Sequence, residues 1–305
     1  MPPMQKHLSA LAALTLVLAA TAASAQTVQS ISVGERTVRT VGTIVVAHGG
    51  DSAWNAGVLD AARSARTGGP VEVSFLMGPA AKEFRFQDAV ANLERRGATE
   101  IVVVPMLVSS HSGHYDQVRY LAGDSVTLDE QMLHHLHMAG LDRASTTLPL
   151  RVTKALDDAP QLARVITQRA LALTKSPRER AVLIVGHGPN SAEDYAAWMA
   201  NLRPVADSVA ASGHFRDVRV ELVRDDAPAA VRAEAVRRTR DIIQLQYAAT
   251  GKDVIVVPVL VSKGAISRDK IPSDLAGLPI VYSGEPLLPH PEIARWIESR
   301  VSASR

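Results

Sequence analysis

The chain has 305 residues, 47% of them hydrophobic, enough for one large domain or two small ones. Lys and Arg total 33 against 31 Asp and Glu, and no basic stripe with interleaved aromatics occurs, so the composition gives no support to a nucleic-acid partner. Cysteine is absent, which excludes a disulfide framework and a thiolate metal site; any metal must be held by histidine, carboxylate or a ligand.

Residues 1–25 have the pattern of a secretory signal peptide. Lys6 supplies the positive start, Leu8 to Ala20 is apolar, and Ala23-Ser24-Ala25 is a small-residue cleavage site that leaves Gln26 first. The apolar run is shorter than the roughly 20 residues of a membrane span. No other stretch could cross a bilayer, so the expectation is a periplasmic or secreted protein with no membrane span after cleavage. A polar leader at 26–40 follows.

Short β-branched runs then predict strands at Thr43–Ala47, Val71–Leu76, Glu100–Leu107 and Pro149–Thr153. A second set follows at Ala181–Gly186, Val218–Val223, Asp253–Val261 and Pro279–Ser283. Most are continuously apolar, as parallel strands covered on both faces are. Amphipathic stretches such as Gln161–Thr174 and Ala229–Gln246 lie between them, which predicts βαβ units around parallel sheets.

The two sets repeat each other in order. TIVVAHGG at 43–50 matches AVLIVGHGPN at 181–190, and EIVVVPMLVSS at 100–110 matches DVIVVPVLVSK at 253–263. LPLRVTKALDDAPQLARVI at 148–166 matches LPIVYSGEPLLPHPEIARWI at 278–297. The predicted fold class is therefore α/β, with two related lobes at 41–175 and 180–305. Each is a parallel four-stranded sheet flanked by helices, with a cleft between them. Pro105 to Pro149 spans 44 residues and Pro258 to Pro279 only 21, so the first half carries an insertion at about 124–146. Thr127-Leu128-Asp129-Glu130 is a capping box and Gly140 a stop, which predicts an inserted helix at Leu128–Ala139. It carries His134, His135 and His137. His134 and His137 share a face, suited either to a solvated helix end or to a lid over the cleft.

Histidines cluster in the first half. His48 follows the first strand in Ala47-His48-Gly49-Gly50, and His111 and His114 follow the third in Ser109-Ser110-His111-Ser112-Gly113-His114. Open α/β sheets place their sites at the C-terminal ends of strands, and the glycines let the backbone approach a ligand. His48 could converge there with one or both of the others, and imidazole suits Co, Ni, Fe and Zn. If helix begins after Ser110, His111 and His114 share a face. His187 repeats the His-Gly pair, but Lys263-Gly264-Ala265-Ile266 offers it no partner histidine, so it is expected to be a loop anchor. There is no G-x-S-x-G elbow, no phosphate-binding GxxxxGK[ST] and no GxGxxG after a strand, so no hydrolase triad or nucleotide cofactor is expected.

With those residues on the page, the chain resembles the class II chelatases of tetrapyrrole biosynthesis, the CbiX/SirB type, which insert cobalt or ferrous iron into sirohydrochlorin. The resemblance spans nearly all of the mature chain. It rests on strand-His-Gly at Val45–Gly49, VEVSFL at 71–76, G-A-x-x-I-V-V-V-P at 97–105, the histidine loop at 109–114 and the Pro149–Leu162 segment. It implies a lyase whose two imidazoles, His48 and either His111 or His114, hold the metal and help remove pyrrole N–H protons. Gly49, Gly50 and Ser110 would line the ligand. The implied partners are a tetrapyrrole and a divalent metal, Co²⁺, Fe²⁺ or Ni²⁺. The chain departs from the family pattern in three places. The second histidine of the pattern falls at Gly113, Met77 stands where many relatives have an acidic residue, and Ile266 replaces histidine in the second-half G-x-H-x-x-x-D-I-P segment. Family members mostly work in the cytoplasm, whereas this chain has an export signal. The alternative expectation is a non-catalytic periplasmic protein that binds or delivers a metal or tetrapyrrole.

Overall fold

A computed structural model of the protein describes residues 39–304. The signal peptide expected at 1–25 and most of the leader lie outside the described residues. Residues 39–305 cluster as one compact unit.

The first half runs β1 (Val41–Ala47), α1 (Ser52–Ser64), β2 (Val71–Phe75), α2 (Phe86–Arg95), β3 (Glu100–Met106), α3 (Gly113–Leu121), α4 (Glu130–Ala139), β4 (Leu150–Val152) and α5 (Pro160–Leu171). The second half runs β5 (Ala181–Gly186), α6 (Ala192–Gly213), β6 (Asp217–Leu222), α7 (Ala229–Thr250), β7 (Val254–Val259), α8 (Ile271–Asp274), β8 (Ile280–Tyr282) and α9 (Pro291–Ala303). The strands form two parallel four-stranded sheets ordered β2-β1-β3-β4 and β6-β5-β7-β8, as the repeat predicted. Strands β1, β3, β5 and β7 are buried along their whole length, which is why their sequences do not alternate.

A proline inside a central strand needs an explanation, because it cannot donate to the ladder. In β3, Ile101 and Val103 bond toward the β4 side, so Pro105 points the same way. The β4 pairing ends at Val103↔Val152, so Pro105 lies beyond the last bond β4 could form. Pro258 repeats this in β7, past the last β8 pair at Val256↔Tyr282. Each proline thus lies just past the end of the edge-strand pairing, where no ladder bond is lost.

The inserted helix starts later than the capping-box expectation. Asp129, not Thr127, is its N-cap and accepts from the Met132 amide at 2.7 Å. Gly140 ends it at φ 69°, as expected. The helix after the third strand is also shorter than the shared-face expectation required. Ser112 caps α3 through the Tyr115 amide, which leaves His111 outside the helix and His114 in its first turn.

The halves exchange their last helices. α5, from the first half, packs on α6 and β7 of the second. α9, from the second half, packs on α1, α5 and β3 of the first. Trp296, Ile297 and Val301 of α9 accordingly belong to the same core as Val45, Val103 and Val104.

Candidate functional site

His48 leaves β1 into a turn built around two glycines. Gly49 has φ 93°, and a Cβ there would stand 2.2 Å from the Met77 carbonyl oxygen, so only glycine fits without moving backbone. The Asn55 side chain holds the Gly50 amide at 2.9 Å and its carbonyl at 3.2 Å. His48 Nδ1 lies 2.8 Å from the Gly49 carbonyl. A carbonyl only accepts, so Nδ1 carries the proton and Nε2 keeps its lone pair.

His114 is fixed by a chain of two hydrogen bonds. The Gln117 amide nitrogen donates to the Met132 carbonyl of α4 at 2.8 Å, which orients its oxygen toward His114 Nδ1 at 2.9 Å. Nδ1 must therefore donate, and Nε2 is again the free atom. The insertion thus orients the second histidine through the Met132 backbone.

The two rings meet edge to face with centroids 4.8 Å apart. Among the described residues, no hydrogen bond engages either Nε2. Burial lowers the His48 pKa, with a smaller push from His187 and a partial offset by the Gly49 carbonyl. Burial, then the neighbouring His48, lowers that of His114 to about 4. Both rings are neutral at pH 7, the form that ligates metals.

Of the other expected residues, His111 is exposed and apart from this pair. Its amide meets Ser109 Oγ at 3.1 Å and its carbonyl accepts from Trp198 Nε1 at 2.6 Å. Those bonds clamp the loop that leads to His114. Ser110 is engaged by Asp157, amide to Oδ1 and hydroxyl to Oδ2, each at 2.7 Å. These bonds anchor the loop after β3. His134 and His137 are exposed on α4, whereas His135 turns inward and its Nδ1 is buried without a partner. The charge of His135 is felt at both His48 and His114.

The second half contributes residues that the search for a histidine partner missed. The His187 carbonyl accepts from the Arg224 amide at 2.6 Å, just as the His48 carbonyl accepts from the Met77 amide at 2.9 Å. Met77 and Arg224 are therefore equivalent, and Gly78-Pro79 corresponds to Asp225-Asp226. His187 Nδ1 faces the Gly188 carbonyl at 2.8 Å and Nε2 faces Asp226 Oδ2 at 3.2 Å. Asp226 and His187 both act electrostatically on His48, so these groups lie near the first-half pair. The available signal was the Asp-Asp pair following Val218–Val223.

A CbiX family profile matches residues 42–173 and again 181–304, once per repeat. Among solved structures, SirB from Bacillus subtilis with Fe³⁺ aligns with a TM-score of 0.59 at 16% identity, covering 87% of this chain and 95% of that one. CbiX, described as the terminal enzyme for biosynthesis of siroheme in denitrifying bacteria, aligns with a TM-score of 0.52 at 17% identity, covering 88% and 100%. DR2241 from Deinococcus radiodurans has structural similarity to chelatases and two additional novel domains. It aligns with a TM-score of 0.56 at 18% identity, covering 86% of this chain and 54% of that one. No curated protein matches. At these identities the solved structures share the fold.

Proposed function

The chain belongs to the CbiX family, and from that premise we propose that it is a metal chelatase acting outside the cytoplasm, inserting Co²⁺ or Fe²⁺ into a sirohydrochlorin-type tetrapyrrole. The observation that carries this reading is the His48–His114 pair, two neutral imidazoles with centroids 4.8 Å apart and both Nε2 atoms free. Insertion exchanges one divalent cation for two pyrrole N–H protons, so the site must offer lone pairs first to the metal and then to protons. Buried neutral imidazoles do both, because neither carries a charge that repels the cation. Burial also keeps water from competing for the metal. Ni²⁺ suits the same nitrogen donors. The signal-peptide pattern of residues 1–25 supports the periplasmic setting.

The test is to mix the mature protein with sirohydrochlorin and Co²⁺ or Fe²⁺ and follow the absorbance change of the macrocycle. The expected rate exceeds the spontaneous one and returns to it in His48→Ala and His114→Ala. A rate equal to the protein-free control, with tight metal binding retained, would replace the enzyme by the delivery protein.

A further inference from the structure

Every named group of the insertion site lies in the first half, yet the second half keeps a histidine and a carboxylate together nearby. His187 Nε2 and Asp226 Oδ2 are 3.2 Å apart. Two ligands each about 2.1 Å from one cation and subtending about 100° stand about 3.2 Å apart, so the spacing suits a shared ion. The ring chemistry agrees. Nδ1 of His187 faces the Gly188 carbonyl and must donate, so in a neutral ring Nε2 would turn a lone pair toward a carboxylate. A second proton or a cation held between the two atoms resolves that conflict.

Three neighbouring features fit a cation. Among the described residues, Asp226 has no Lys or Arg ion-pair partner and its side chain is 67% exposed, open to an arriving ion. Asp225 lies within 4.8 Å of both ligand atoms, but its side chain is 2% exposed and paired with Arg232 at 2.9 Å and with Lys270. Its charge is already balanced, so it forms the wall of the site. The equivalent first-half positions are Gly78 and Pro79, which cannot ligate through a side chain, so this pairing exists once in the molecule's described residues.

We propose that His187 and Asp226 form a second divalent-cation site, near the His48–His114 pair but separate from it, where the metal waits before transfer. The waiting role rests on the metal-insertion reading; the cation site does not. His187 and Asp226 are near enough for their charges to be felt at both His48 and His114. An imidazole and a carboxylate select Co²⁺, Ni²⁺, Fe²⁺ or Zn²⁺ over Mg²⁺.

Calorimetric titration of the full chain with Co²⁺ alone, without tetrapyrrole, tests this. Two equivalents are expected for the wild type, and one each for His187→Ala/Asp226→Asn and for His48→Ala/His114→Ala. Asp226→Asn alone, a near-isosteric exposed change, should weaken one equivalent at least tenfold with the unfolding midpoint unchanged. Two equivalents retained by His187→Ala/Asp226→Asn would overturn the proposal and leave the insertion reading intact. A wild type that binds only one equivalent, lost in both double variants, has one shared site, which also overturns the proposal. One equivalent lost only with His187 and Asp226 keeps this site and removes the first-half metal pair.

Discussion

At the end of β1 the His48 ring meets a second imidazole, and at the end of β5 the His187 ring meets a carboxylate. The backbone is the same in both places: histidine, a glycine at positive φ, and a carbonyl bonded to the chain leaving the next strand. What differs is the neighbouring loop. In the first half the chain after β3 forms α3 and delivers His114; in the second it forms a π-helical turn at Ile266–Lys270 with no histidine. After the second strand the asymmetry reverses, with Gly78-Pro79 against Asp225-Asp226. A duplicated scaffold has kept one histidine twice and divided the second imidazole and the carboxylates between its copies.

Removing the imidazoles should break the comparison hardest. His48→Ala or His114→Ala is expected to slow metal insertion about 100-fold or more, measured by macrocycle absorbance, because a lone imidazole cannot hold the ion in place. The glycines sharpen it next. Gly49→Ala places a Cβ 2.2 Å from backbone, whereas Gly188→Ala meets mainly the Leu222 side chain at 2.7 Å. The first should cost roughly 2–4 kcal/mol in chemical denaturation and the second about 1 kcal/mol less. Gln117→Leu leaves His114 Nδ1 unpartnered and its ring free to turn, so metal affinity should fall about tenfold by calorimetry. His134→Ala and His137→Ala sit on solvent and should change that affinity by less than about twofold, as surface substitutions do.

Acid sharpens the comparison differently. The folded pKa of His114 is lowered to about 4 from 6.5, so the unfolded chain binds the extra proton first. Stability from this group is complete above pH 6.5 and is lost as pH falls from 6.5 to about 4. The loss amounts to roughly 3 kcal/mol. Denaturation across that window should show it in the wild type and much less in His114→Gln.

The strands were legible because double-sided burial writes itself as uninterrupted Val and Ile, and the repeat followed from aligning those runs. The choice between His111 and His114 was not legible, since it turns on where α3 begins. That point is set by Ser112 capping Tyr115 and by Trp198, 87 residues away, holding the His111 carbonyl. The insertion was visible as a helix with three histidines, but the face it turns inward was not. Packing of Leu136 and Ala139 turns His135 inward and leaves the i, i+3 pair outside. His187 was set aside for want of a partner histidine, and its partner proved to be a carboxylate on a different loop.

The exchanged helices carry a consequence for how the molecule comes into being. The sheet that carries His48 is complete in hydrogen bonds once β4 has emerged, but α9, which packs against β3, follows the whole second sheet in the chain. The histidine pair therefore rests on a half-covered layer until the second half, α9 included, has been made. Severing the chain between Lys175 and Arg180 would leave each fragment missing the helix that the other carries. Co-expressed, the fragments should find each other by returning those helices. A shortened C-terminus would weaken the histidines at the opposite end of the sequence before it weakened its own half.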